Sequence, residues 1–502
     1  MLFSRSHFLL CCTILLLFFS TPLCAEYTWN QNCMDAYNEV SKLNFNRAKQ
    51  LIAAEKKMHP SNLIPLYVEA EMEFLYAFIS EDERVLQAFK KKNEERIEKI
   101  ENNKEKSPYK LLLIAEMYSQ MALARVKFEE YFGTLYDARK AYKLLIENNE
   151  LYPSFLPNLR GIGLVHVVVG ALPKNFQWII NLVGMDGDIR QGMSEIKRLL
   201  DATCTQPEYA WEREDIIVIL TFLEVSLEKD KNKDTIRKRF YNLPDLNEKP
   251  LLQFVKSVFH MACSENDSVI QLLQNRKINP DAYRIDYLDY LQGTALLNTL
   301  DLSAEKYFLK YATGYKGKTF INSAWQRLAW CRLLRNDSAG YHQYINHCLD
   351  NTKINTLSDE DHQATKEAET GEIPNIILLR SRLLFDGGYY SRSLSEIAGK
   401  QSSNFTSARD QLELTYRLAR IFDKTGKKDK AEQYYRQTLN NGAGKPYYFA
   451  ANSALMLGLL KEDERDTAAA LAYFKQCLSM KNHEYQNSLD QKAKAGINRM
   501  TK

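Results

Sequence analysis

The feature that most constrains this chain is an internal repeat near its C-terminus. Tyr416-Arg417-Leu418-Ala419-Arg420-Ile421-Phe422 is followed by Gly426, Ala431, Tyr435 and Thr438; Ala454 and Leu457-Gly458 are followed by Ala470, Phe474 and Cys477. The two leucine–small pairs lie 39 residues apart, and in both copies a small residue, an aromatic and another small residue fall 13, 17 and 20 positions after the leucine. A fixed period with helical spacing inside it describes a helix pair that cannot bury its apolar face alone and stacks on the next pair. The rest of the chain is compatible with that reading. Glycine and proline number only 20 and 13 in 502 residues, few stretches alternate as strands do, and Leu, Ala, Lys, Glu, Gln and Tyr recur at helical spacing. An all-α protein is predicted. A chain this long exceeds the ~250–300 residues that one core supports, and a solenoid avoids the limit because each unit contacts only its neighbours.

This pattern resembles the tetratricopeptide-repeat family, which places Leu-Gly and an aromatic on a first helix, then Ala, an aromatic and Ala on a second. Divergent copies lie upstream: Trp325, Leu328 and Ala329 with Cys348; Leu378 to Ile397 around a Gly387-Gly388 turn; and Leu288 to Tyr311 through Gly293, Ala304 and Phe308. Ala48, Ile52 and Pro60 resemble the end of a repeat, as does Leu151-Tyr152-Pro153 after residue 138. The resemblance implies a right-handed superhelical solenoid of antiparallel helix pairs. It departs from the family pattern at Lys461, where an aromatic is usual, and across Asp350 to Pro374, which interrupts the array. The expected organisation is divergent repeats over 26–155, an apolar central segment with further helices over 156–275, and repeats over 276–502.

Residues 1–25 have the layout of a secretory signal peptide: Arg5, an uncharged apolar run from Phe8 to Ser20, then Thr21-Pro22 and Leu23-Cys24-Ala25 before Glu26. The run falls short of the roughly 20 residues that span a bilayer. An exported protein is expected, periplasmic or outer-membrane-associated; a lipid on Cys24 is disfavoured because Leu23 stands where lipid-attachment sequences place a small residue. Gly161 to Gly184, the most apolar later stretch, is broken by Leu172-Pro173-Lys174-Asn175, so no later transmembrane segment is expected. Loss of Arg5 takes the net charge from +4 to +3, and Lys90-Lys91-Lys92 is followed at once by Glu94, Glu95 and Glu98. That balance argues against nucleic acid as a partner. Cys33, Cys204, Cys263, Cys331, Cys348 and Cys477 form no C-x-x-C pair, and they read best as small buried helix residues.

Pro157 to Gly170 is an apolar helix with glycine on several faces, and such a helix is normally buried. Phe176 to Gly184 follows, and Asp186-Gly187-Asp188 sets an N-cap for a helix from Ile189. His166, Phe176 and Trp178 are the candidate residues for an apolar cleft, with Phe176 and Trp178 also available to a membrane surface. His166 reads better as a core histidine bonded to a neighbour.

Catalytic signatures are missing: there is no H-E-x-x-H, no G-x-S-x-G and no phosphate-binding glycine loop ending in Gly-Lys-Ser/Thr. No cofactor, metal site or enzymatic activity is expected. In repeats of this kind the first helix of each pair lines a groove, which here would carry Glu413, Tyr416, Arg420 and Asp423, with Gln326 and Trp330 from one upstream copy and Arg382 from another. Arg, Tyr and Trp dominate binding hot spots. The leading expectation is a non-catalytic scaffold that holds a protein or peptide of the cell envelope. The alternative is a carrier of a small apolar ligand in a cleft near 161–184, linked to a transport system as some exported proteins of similar repeats are.

Overall fold

A computed structural model describes residues 27–172, 184–185, 187–227, 233–243, 247–350 and 358–500. Among the described residues of the first half the helices are α1 (Gln31–Ser41), α2 (Phe45–Met58), α3 (Ile64–Ser80), α4 (Glu83–Glu101), α5 (Pro108–Lys127), α6 (Tyr131–Leu151), α7 (Asn158–Ala171), α8 (Ile189–Thr205), α9 (Arg213–Leu227), α10 (Lys233–Tyr241), α11 (Pro250–Ala262) and α12 (Asn266–Gln274). The second half runs α13 (Tyr287–Leu297), α14 (Glu305–Gly314), α15 (Ile321–Leu334), α16 (Ser338–Ile345), α17 (His347–Asp350), α18 (Asp359–Thr370), α19 (Ile376–Asp386), α20 (Tyr390–Ile397), α21 (Ala408–Lys424), α22 (Lys428–Gly442), α23 (Tyr448–Asp463), α24 (Thr467–Ser479) and α25 (Gln486–Met500). No strand occurs among the described residues. Successive helices pack pairwise and stack on the following pair, which makes the chain an all-α helical-repeat solenoid. No described helix is long and apolar enough to cross a membrane.

One turn geometry recurs along the whole chain. A small residue sits at the close contact of a first helix, and seven positions later a residue adopts the left-handed conformation. The pairs are Ala36 and Leu43, Ala122 and Glu129, Ser257 and Ser264, Gly293 and Leu300, Ala329 and Asn336, Ser381 and Gly388, Ala419 and Gly426, and Gly458 and Arg465. In each, the following residue donates its N–H to a carbonyl five positions back, as Asn44 does to Glu39 and Asp466 to Lys461. This is the Schellman closure, which satisfies helix-end carbonyls while reversing the chain. Only two of these left-handed positions are glycine, so the others carry the Cβ penalty of that conformation, about 1 kcal/mol each. Helix starts are fixed more cheaply: Asn30, Asp82, Ser107, Asp188, Asp337, Asn375, Ser407 and Asp466 each accept a backbone N–H of the first turn.

Close helix approach explains the glycines of the central segment. A Cβ on Gly163 would fall 2.7 Å from the Gly192 carbonyl oxygen, and one on Gly192 only 2.4 Å from the Gly163 oxygen. Helices α7 and α8 therefore touch backbone to backbone. At the other end, Phe474 fills the gap between Gly458 and Gly496, where added Cβ atoms would each lie 2.5 Å from its ring. Of the six cysteines outside residues 1–26, five are buried and Cys204 is exposed, and burial is common for small helix residues of this type.

The two halves of the chain also meet. Tyr283 donates its N–H to the Leu43 carbonyl at 2.8 Å, its ring stacks on Phe45, and Glu81 accepts the N–H groups of Lys318 at 2.7 Å and Thr319 at 3.0 Å.

Candidate ligand-binding cavity

Four helices each turn one stripe of side chains toward a common space of about 570 Å³. Tyr67, Glu71, Phe74 and Phe78 come from α3, and Glu116, Gln120, Leu123 and Lys127 from α5. Their spacings of three and four residues put each set on one helix face. From α7 come Arg160, Gly161, Leu164 and Val165, and from α9 Asp215, Val218, Ile219 and Phe222. Phe254 of α11, Tyr287 of α13 and residues between Tyr311 and Phe320 complete the wall. The volume lies in the ~300–1,000 Å³ range of small-molecule sites. Phe74, Phe78, Leu164, Val165, Val218 and Phe222 are only half-buried, because the rest of their surface faces the cavity.

The wall is mainly apolar between two polar ends, and at one of them a single arginine meets several acids. Arg160 is 5% exposed. Its guanidinium reaches Glu116 at 2.8 Å, Glu212 at 2.8 Å and Asp215 at 3.0 Å, and donates to the Tyr67 hydroxyl at 3.2 Å. The Tyr37 hydroxyl donates to Asp215. Trp211 stacks on Trp29 with ring centroids 4.4 Å apart and lies 5.7 Å from the Arg160 guanidinium carbon. Glu71 accepts a hydrogen bond from the Gln120 amide at 2.8 Å and forms no ion pair among the described residues. Burial pushes the Glu71 carboxyl up to about 8, Asp215 adds to the rise, and Arg160 works against it. Burial likewise pushes Glu212, which has no exposed surface, up to about 8 against the pull of Arg160.

A second polar cluster lies at the other end of the same space. Burial would raise the Glu81 carboxyl, but Lys127 at 2.9 Å and the donors of Thr319 and Lys318 outweigh it and hold it below the usual carboxylate range. Lys127 also sits 4.4 Å above the Phe78 ring.

The residues singled out in the sequence fall in different places. His166 lies on α7 but does not line the cavity: it is buried, 3.1 Å from the Tyr142 hydroxyl and 2.6 Å from Glu195. Its expected place in the cleft is thus corrected, because Arg160, Gly161, Leu164 and Val165 form the cavity face of that helix. Phe176 and Trp178, like residues 1–25, lie outside the described residues. Among the expected groove residues, Gln326 and Trp330 are buried and both donate to Glu367, at 2.7 and 2.9 Å. Glu413 is buried against Arg417 at 2.7 Å, and Tyr416 is buried with its hydroxyl accepting from Arg420 at 2.7 Å. Those four brace the repeat interior, since side chains so covered present no surface to a partner. Arg382, 5.0 Å over the Trp330 ring, Arg420 and Asp423 keep part of their surface exposed. The cavity's Glu71, Glu116, Arg160 and Asp215 were not singled out in the sequence. The available signal was a charged residue on an otherwise apolar helix, as Arg160 is on α7.

Residues 412–440 and 451–484 match the tetratricopeptide repeat family model. The chain carries tetratricopeptide repeats. The matched segments coincide with the pairs α21–α22 and α23–α24, in which the 39-residue period was found. Among solved structures, a monomeric mutant of IFIT1 with m7Gppp-AAAA is similar over 74% of this chain and 79% of its own, at 12% identity and a TM-score of 0.28. No curated protein matches significantly. Among the described residues no group of His, Cys, Asp and Glu is placed to hold a metal ion.

Proposed function

We propose that this tetratricopeptide-repeat protein acts by binding and not by catalysis, and that its first half holds a small, mainly apolar molecule. The observation that carries this reading is the cavity between α3, α5, α7 and α9, a preformed, mainly apolar space with polar groups gathered at its ends, the form such sites take. The segment 1–25 supports placing the protein in an exported compartment, where a carrier would receive its ligand. The full-length mature protein should bind the neutral fluorescent probe N-phenyl-1-naphthylamine, and Leu164→Trp, which fills the cavity, should weaken that binding at least about tenfold with the helical circular dichroism intact. Undiminished binding by the variant would place the probe elsewhere and end this reading.

A second reading concerns the C-terminal repeats, as a surface for a protein or peptide of the cell envelope. It is favoured by the partly exposed Arg382, Arg409 and Arg420, whose planar forks suit carboxylates. Crosslinking with mass spectrometry in intact cells should capture a partner with the wild type and lose it with an Arg382→Ala, Arg420→Ala variant. Retention of the same partner by the variant removes this surface from consideration.

A further inference from the structure

We infer that the cavity's ligand is an amphiphile with a protonated amine at its polar end, seated against Glu71, Glu116 and Asp215 with its apolar part among Phe74, Leu164 and Phe222. The inference rests on the cavity reading above and adds the chemistry of the headgroup.

Charge is the first argument. Four carboxyls, Glu71, Glu116, Glu212 and Asp215, gather around one arginine that contacts the last three; burial keeps Glu71 and Glu212 protonated up to about pH 8, and a cationic head is the ligand that draws the Glu71 carboxyl into its charged form. Glu71 faces the cavity with only the Gln120 amide as donor. A ligand that brings one positive charge to that end offsets part of the imbalance, whereas a carboxylate or phosphate head would add another anion to a site shielded from bulk water.

Hydrogen-bonding capacity is the second and independent argument. The Oε1 atoms of Gln120 and Glu116 have no hydrogen-bond partner, although these residues are only 4% and 8% exposed and both line the cavity. Buried acceptors left unpaired are costly and rare. The donor contacts recorded at this end run to carboxylates or to a hydroxyl, Arg160 to three acids and Tyr67, Tyr37 to Asp215, and the Gln120 amide to Glu71, and none reaches these two oxygens. What is missing is donors, and an ammonium group supplies three together with its charge, with no acceptor of its own. An alcohol supplies one donor and no charge. The half-buried rings and aliphatic side chains along the rest of the wall suit a hydrocarbon chain.

Dodecylamine, dodecanol and dodecanoate share one chain and differ at the head. Each is titrated below its micelle-forming concentration into mature full-length protein carrying N-phenyl-1-naphthylamine, with displacement as the readout. Dodecylamine should bind at least about tenfold more tightly than dodecanol, and dodecanoate more weakly than either. In Glu71→Gln, an isosteric change, the preference for amine over alcohol should shrink to within about threefold. Equal binding of amine and alcohol, tighter binding of dodecanoate, or an amine preference unchanged in Glu71→Gln overturns the headgroup assignment and leaves the cavity reading standing. Failure of all three to bind or displace the probe overturns the cavity reading itself.

Discussion

At the residue scale, the acids beside Arg160 tie stability to pH in an unusual direction. Carboxylates in folded proteins are commonly held below their free value, so stability grows as pH rises from the acid side. Glu71 and Glu212 do the opposite, since burial raises each to about 8 from an ordinary 4.5. A carboxyl whose folded value is raised keeps a proton that the unfolded chain would release. Its stabilising contribution is fully present below about pH 4.5 and is lost as pH climbs through about 8. The groups facing this pair include Tyr37, Tyr67, Glu116, Asp215 and Arg160, and Arg160 stays charged throughout. Glu71→Gln removes one titration and keeps the shape. Its melting temperature relative to wild type should therefore rise by several degrees between pH 5.5 and pH 8.5 in the ligand-free protein. A difference that stays constant across that range would show that Glu71 does not titrate there.

At the scale of elements, much of the architecture was legible and the site was not, for one physical reason. Repeats announce themselves through packing positions, and packing positions demand particular sizes. Ala431 and Ala470, Tyr435 and Phe474, Thr438 and Cys477 are all buried, so the spacing that defines them in sequence is the spacing of their contacts. The turn was harder to read. Gly388 and Gly426 advertise a left-handed residue, but Leu43, Ser264, Leu300, Asn336 and Arg465 take the same conformation without glycine, so the closure recurs where the letters do not. Position along one helix does not fix exposure: of the seven expected groove residues, Gln326, Trp330, Glu413 and Tyr416 are covered by neighbouring side chains, while Arg382, Arg420 and Asp423 keep part of their surface. Trp330 and Gln326 would face outward on an isolated pair, yet Glu367 of α18, inside the Asp350 to Pro374 interval that interrupts the array, comes to meet them. The cavity's acids come from α3, α5, α9 and the short turn before α9, and no local period connects Glu71 to Asp215. Only the path of the chain brings them together.

At the scale of the molecule, the solenoid is held by a contact that a purely nearest-neighbour array would lack. Glu81 ends α3 and joins residues more than two hundred positions ahead: its carboxylate accepts from the Lys318 and Thr319 amides and the Thr319 hydroxyl while Lys127 neutralises it. Tyr315 adds a hydrogen bond from its hydroxyl to the Ile79 carbonyl at 3.1 Å. Ile79, Glu81, Lys127, Tyr315 and Thr319 all line the cavity, so the clasp joins the two halves along its wall. Because Glu81 is held below the ordinary carboxylate range, its contribution is present above about pH 4.5 and fades as pH falls through its folded value. Glu81→Ala should release the 315–320 stretch and leave the distant repeats of α21 to α24 intact, as expected where stability is shared among local units. Hydrogen exchange checks this directly: the amides of Lys318 and Thr319 should lose protection by at least about tenfold, those of α21 to α24 should not change, and N-phenyl-1-naphthylamine should leave faster. Unaltered protection at 318–319 would mean that the aromatic packing of Tyr315 and Phe320 closes the molecule without the carboxylate. Protection lost everywhere at once would mean that the clasp is part of one cooperative fold and not a local joint on a stable array.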